Sequence, residues 1–127
     1  MKVTFKDNKR ISAEINGFEI QTDQSKSSGG LGEYPNPFDF FKASIGCCMS
    51  YYVMAFCLER KIPLDSVWVE FDFIENKNIE TIITTINVGP DFPRHYLNAI
   101  EKSTKSCKIK RSYASPPEFI SKVNIEQ

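Results

Sequence analysis

The sequence predicts an α+β fold built on antiparallel sheets, and three observations carry that prediction. The N-terminal segment VTFKDNKRISAEINGFEIQTD alternates polar and apolar residues around an Asn-Gly turn. The run NPFDFFKASIGCCMSYYVMAFC places apolar residues at three- and four-residue steps, which is the period of a helix. Two further β-rich runs, VWVEFDFIE and IETIITTINVG, are separated only by NKN. The order of strands, long helix, hairpin, helix and strand, without internal repeats, favours antiparallel sheets over a parallel one.

Each element follows from local chemistry. The first segment gives two or three short strands joined at KDNK and at Asn16-Gly17, where both turn positions tolerate positive φ. The stretch QSKSSGGLGEYPNP, rich in Ser, Gly and Pro, is an exposed loop long enough to border a functional cleft. Asn36 caps the long helix, Pro37 suits its first position, and Asp39 sits in the first turn where negative charge is favourable. Phe41, Ile45, Cys48, Tyr52 and Ala55 form its expected buried stripe, and RKIPLDS ends the helix near Arg60. After the second hairpin, residues Arg94 to about Lys105 form a second helix with Tyr96, Leu97, Ile100 and Thr104 facing inward, delivering Cys107 to its C-terminal end. A turn at Ser115, Pro116 and Pro117 precedes a last strand, FISKVNI.

Composition narrows the function classes. A chain of 127 residues is expected to form one domain. Sixteen basic and sixteen acidic side chains cancel, so no bulk field draws the protein to nucleic acid or to an anionic membrane. KSCKIKR is too small a patch on a neutral protein to make nucleic acid a partner. The N-terminus MKVTFKDNKR has no apolar leader and no apolar run spans a bilayer, so the expectation is a soluble, cytoplasmic protein with no membrane partner. Trp68 faces either the sheet interior or another subunit, and His95 is an ordinary surface histidine.

Four cysteines in a reducing compartment point to chemistry or packing rather than a disulfide framework. The spacings contain no C-x-x-C pair and there is one histidine, so no metal is expected. In the long helix, Cys48 and Cys57 stand nine residues apart, roughly 180° around the axis and about 13 Å along it. They cannot bond to each other, and an adjacent Cys47–Cys48 bridge does not suit helical backbone. If a helix cysteine pairs reversibly, Cys107 is the remaining partner. Cys57, among Ala55, Phe56 and Leu58, reads as core filler, whereas the cations Lys105, Lys108, Lys110 and Arg111 around Cys107 are expected to lower its pKa.

Residues 32 to 49, G-x-Y-P-N-P-F-D-F-F-K-A-S-I-G-C-C-M, closely resemble the pattern around the first active cysteine of the OsmC/Ohr family of osmotically inducible and organic hydroperoxide resistance proteins. In that pattern an N-P or S-P dipeptide opens a central helix, a carboxylate follows, and the cysteine comes about ten residues later in a run of small residues. Aligned on Asn36 and Pro37, the family cysteine falls on Cys48, and the family's second cysteine maps to Cys107. The resemblance implies an OsmC-like fold with two long central helices in an intimate, intertwined homodimer whose active sites lie at the subunit interface. It implies a thiol-dependent peroxidase: Cys48 attacks an organic hydroperoxide and becomes a sulfenic acid, Cys107 closes a disulfide, and a dithiol, commonly a lipoyl group, restores the pair without any cofactor. It implies an activating arginine from the first hairpin, for which Arg10 is the nearest match, and a carboxylate, for which Asp39 stands nearest while Phe38 occupies the position ten before Cys48. The second-cysteine stretch reads C-K-I-K where the family has C-P-V-S. The alternative reading is an OsmC-like protein that binds a small apolar or acyl ligand at the dimer cleft without turnover.

Overall fold

A computed structural model describes residues 1–125. They divide into two compact units, the first Met1–Ser44 and the second beginning at Ile45.

The first unit carries a three-stranded antiparallel sheet, β1 (Lys2–Phe5), β2 (Ile11–Ile15) and β3 (Phe18–Thr22), in that order. Asn8 and Lys9 both take positive φ in the β1–β2 turn, which Arg10 N–H closes by donating to the Asp7 carbonyl at 3.0 Å. The β2–β3 turn is the two-residue Asn-Gly loop the sequence predicts: Ile15 pairs with Phe18, and Asn16 and Gly17 sit at φ of 50° and 79°. Positive φ at both positions matches the twist of the flanking strands, and Asn-Gly reaches it at least cost.

The Ser/Gly loop that follows is held by its own backbone hydrogen bonds, among them Gly30 N–H to the Ser25 carbonyl and Gly32 N–H to the Gln24 carbonyl, and by one buried carboxylate. Asp23 is fully buried, and its oxygens accept from the backbone N–H of Gln24 at 2.7 Å and of Glu33 at 3.0 Å. The Glu33 amide, followed by those of Gln24, Leu31 and Gly32, holds this carboxyl below the usual carboxylate range against the opposing effect of burial. A loop with little apolar surface thus gains a fixed shape from hydrogen bonds within its backbone and to one charge.

Helix α1 (Pro37–Glu59) crosses the boundary between the units. Its start is a reciprocal cap: Asn36 Oδ1 accepts from Asp39 N–H at 2.9 Å, and Asp39 Oδ2 accepts from Asn36 N–H at 3.3 Å. By length and composition α1 could cross a bilayer, which the sequence reading did not anticipate, yet Val53, Phe56 and Cys57 belong to a packed core. The buried face is also rotated from the expected stripe. Ile45 is buried as expected, but Met49, Val53, Phe56 and Cys57 follow it, while Cys48, Tyr52 and Ala55 are half-buried along the edge. Steps of four keep drifting around a 3.6-residue turn, and the larger aliphatic side chains win the centre.

In the second unit β4 (Val67–Glu75) and β5 (Ile79–Val88) form the expected antiparallel hairpin. Val67, Val69, Ile86 and Val88 pack against a core of Val53, Phe56, Cys57, Ile62, Phe92 and Ile100. Trp68 therefore stands on the opposite face of β4 and is exposed. The second expected helix is a 3-10 turn (Arg94–Tyr96), helix α2 (Leu97–Ser103) and another 3-10 turn (Thr104–Ser106). Ile100 and Thr104 are buried, Tyr96 half-buried and His95 exposed as expected, whereas Leu97, expected to face inward, is exposed.

Two features of the C-terminal stretch differ from expectation. Lys108–Ala114 forms a further helix, α3, ended by the Pro116-Pro117 pair. The predicted strand FISKVNI does not form: residues 119–125 are irregular, and Phe119, Val123 and Ile125 are each more than 80% exposed. A strand needs a neighbour to take its N–H and C=O groups, and among the described residues none is paired with it.

Candidate active site

The second unit brings Cys48 and Cys107, fifty-nine positions apart, close enough for each thiol to shift the acidity of the other. Cys48 lies half-buried on the edge of α1's packed face, and Cys107 has no exposed surface. Cys107 is the N-cap of α3, with extended backbone at ψ 118°, and its sulfur accepts from Lys110 N–H at 3.4 Å. The backbone turn at Cys107 also aims the first amides of α3 at the other sulfur.

Those amides polarise the pair. The Ile109 N–H, then the Cys107 thiol and the Lys108 N–H, hold the Cys48 pKa below the ordinary thiol range, against a smaller opposing effect of burial. Cys107 moves the other way: burial raises its pKa, and its hydrogen bond to Cys48 raises it further. Cys48 is therefore the more acidic thiol of the two and Cys107 the less acidic. This corrects the expectation that the cations flanking Cys107 lower its pKa, because removal of that sulfur from water outweighs charges on exposed side chains.

Of the other cysteines, Cys57 is buried and burial raises its pKa, as suits core filler, while Cys47 is exposed. Among the described residues no cluster of His, Cys, Asp and Glu could hold a metal ion.

Arg10 and Asp39 lie in the first unit, each with partners of its own. Arg10 donates to Asp7 Oδ1 at 2.6 Å, stands 3.8 Å from Glu33, and lies 6.0 Å from the Tyr34 ring centroid. Its Nε is buried without a hydrogen-bond partner among the described residues, a donor still to be satisfied. The Asp39 carboxylate serves the α1 cap.

Sequence reasoning missed the backbone groups of Lys108 and Ile109, because amides leave no residue signature. The available signal was an uninterrupted helix-compatible run from Lys108 to Ala114 with a double proline two residues beyond. Beside the thiol pair a cavity of about 120 Å³ is lined by Ile45, Met49, Ile82, Thr84, Lys110 and Tyr113. Met49 follows Cys48 in the chain and Lys110 N–H donates to Cys107 Sγ, so the cavity shares residues with the surroundings of both sulfurs.

The OsmC-like protein family matches residues 30–122. A crystal structure from Psychrobacter arcticus 273-4, described as an osmotic stress induced and detoxification response protein, superposes with a TM-score of 0.71. Its sequence is 20% identical, and the match covers 87% of this chain and 85% of that one, a likeness of fold. No curated protein matches the sequence.

Proposed function

The chain belongs to the OsmC-like protein family, and on that premise we propose that it is a cytoplasmic, single-domain, thiol-dependent peroxidase for organic hydroperoxides. The observation that carries the reading is the opposed shift of two neighbouring thiols, each acting on the other: the Cys48 pKa is lowered and the Cys107 pKa is raised. A peroxidase needs that division of labour, because the thiolate is the nucleophile and the departing alkoxide needs a proton.

The Cys48 sulfur attacks the distal peroxide oxygen, an S–O bond forms, and the O–O bond breaks. The alkoxide takes the Cys107 proton and leaves as an alcohol, so Cys48 becomes a sulfenic acid and Cys107 a thiolate. That thiolate attacks the Cys48 sulfur and expels hydroxide, closing the disulfide. A dithiol, such as a lipoyl group, then reduces the bridge by exchange, so neither metal nor organic cofactor takes part. Asp39 is assigned to shaping the start of the helix that carries Cys48.

The working unit in this reading is an intertwined homodimer with long helices at its centre. Tyr51, Met54 and Leu58 support it, since they leave an exposed apolar stripe along α1 at helical spacing. The bare apolar side chains of Phe119, Val123 and Ile125 supply a further surface for a second copy.

A coupled assay with cumene hydroperoxide and a dithiol tests the proposal. Cys48→Ser is expected to abolish turnover, and Cys107→Ser to leave a single oxidation without recycling. Peroxide consumption that survives Cys48→Ser would sink the assignment. The apolar cavity favours a second reading, in which a small apolar or acyl ligand binds without turnover. Ligand binding with no peroxide consumption and an alkylation rate like that of a free thiol would select it.

A further inference from the structure

The cavity beside the thiol pair is apolar over most of its wall and charged at one point. Ile45 and Met49, both buried, and Ile82 from β5 supply the apolar wall, with the Thr84 side chain beside Met49. Lys110 and Tyr113, both exposed and one turn apart on α3, line the other side. No acidic side chain lines the cavity, and Lys110 has no ion pair among the described residues. Its volume of about 120 Å³ is a little below the roughly 150 Å³ of a cavity that admits one benzene ring, enough for a short alkyl tail but not a large ring system.

From this arrangement we infer that the site takes organic molecules bearing a negative charge, with Lys110 as the residue that selects them: a short-chain carboxylated hydroperoxide in place of a neutral one. This rests on the peroxidase reading for the chemistry but not for the binding. The apolar wall takes the tail, which the hydrophobic effect holds without regard to charge. A carboxylate left at the rim meets the Lys110 ammonium, and an unopposed cation beside apolar surface favours an anion over its neutral isostere. Lys110 N–H donates to the Cys107 sulfur, so the selecting side chain is anchored by its own backbone to one of the reacting pair, three residues along the chain.

Two measurements test it, one of them independent of turnover. Hexanoate and 1-hexanol are titrated into Cys48→Ser protein by calorimetry, with and without Lys110→Gln. Hexanoate is expected to bind about fivefold more weakly to the Lys110→Gln form, the size of one largely exposed charge pair, and hexanol to bind alike to both. The exposed position and retained backbone N–H of residue 110 make this variant safe for the fold. In turnover, the ratio of kcat/KM for a carboxylated hydroperoxide to that for a neutral one of equal length is expected to fall by a similar factor, and Lys110→Glu to invert it. If hexanoate binding and the kcat/KM ratio are both indifferent to residue 110, the inference fails while the peroxidase reading stands. If hexanoate shows the dependence but no hydroperoxide is consumed, anion selection stands and the peroxidase reading fails.

Discussion

Lys110 N–H donates to Cys107 Sγ at 3.4 Å, and the same thiol helps to hold the Cys48 pKa down. One side chain thus caps α3 and acidifies the neighbouring thiol. Because Ile109 and Lys108, the next residues of α3, also serve Cys48, the acidity of that thiol depends on the start of a seven-residue helix staying formed.

Cys107→Ala tests this dependence. The substitution removes the cap and the S–H donor together, and a lost cap costs about 0.5–2 kcal/mol, here nearer the low end because sulfur is a weak acceptor. The Cys48 pKa is expected to rise, read as a shift to higher pH of the ultraviolet thiolate absorbance or of the alkylation rate. A Cys48 titration that does not move would show that Cys107 and α3 play no part in activation.

Stability should depend on pH with a sign that differs between the two cysteines. The Cys48 pKa is lowered by folding, so its contribution is fully present above the unfolded thiol value of about 8.5 and fades as pH falls through the folded value. The pKa values of Cys107 and of buried Cys57 are raised, so theirs is fully present below about 8.5 and fades as pH rises through the folded values. Urea midpoints are expected to climb with pH toward about 8.5 and decline beyond it, and Cys48→Ser to remove the rising limb. A rising limb of equal slope in Cys48→Ser would contradict the assignment.

The parts legible in the sequence were those written in local chemistry. Asn16-Gly17, the alternation of β4 and β5, and the cap at Asn36 announce themselves because one residue type meets one backbone need. The Cys48–Cys107 contact was expected from family spacing and from elimination. What could not be read depends on burial by distant chain. The direction of the Cys107 shift is one case, since the same sequence gives a low pKa in water and a raised one when enclosed. The choice of Met49 and Val53 over Cys48 and Tyr52 for the buried face is another, decided by what packs on α1. FISKVNI has strand composition, yet composition does not supply a partner strand.

The Asn36–Asp39 pair predicts a coupled loss. Asn36→Ala and Asp39→Ala each break the reciprocal cap and should each cost about 1 kcal/mol. The double variant is expected to cost little more than either alone, since both act on one motif. Equal effects of the two substitutions on peroxidase rate would assign Asp39 to the helix start, whereas a much larger loss for Asp39→Ala would assign it to the chemistry.

Gly30 predicts the fate of the Ser/Gly loop. A Cβ there would lie 2.1 Å from the Gln24 carbonyl oxygen and 2.7 Å from Asp23 Oδ1, inside any tolerable contact. Neither atom can yield: the carbonyl is backbone, and the carboxylate is held by the Gln24 and Glu33 amides. Gly30→Ala must therefore push Asp23 off those amides, leaving a buried charge short of donors, at a cost of about 1–3 kcal/mol for the overpacking alone. The expected result is a lower Tm with faster tryptic cleavage after Lys26, and Asp23→Ala should reproduce the cleavage pattern by removing the other side of the same contact. Gly17→Ala is the contrasting case. Nothing lies within 4 Å of its added Cβ, so only the positive φ of 79° opposes it, and the Ser/Gly loop should resist trypsin as before. If Gly30→Ala leaves that resistance intact, the Asp23 carboxylate is not what holds the loop.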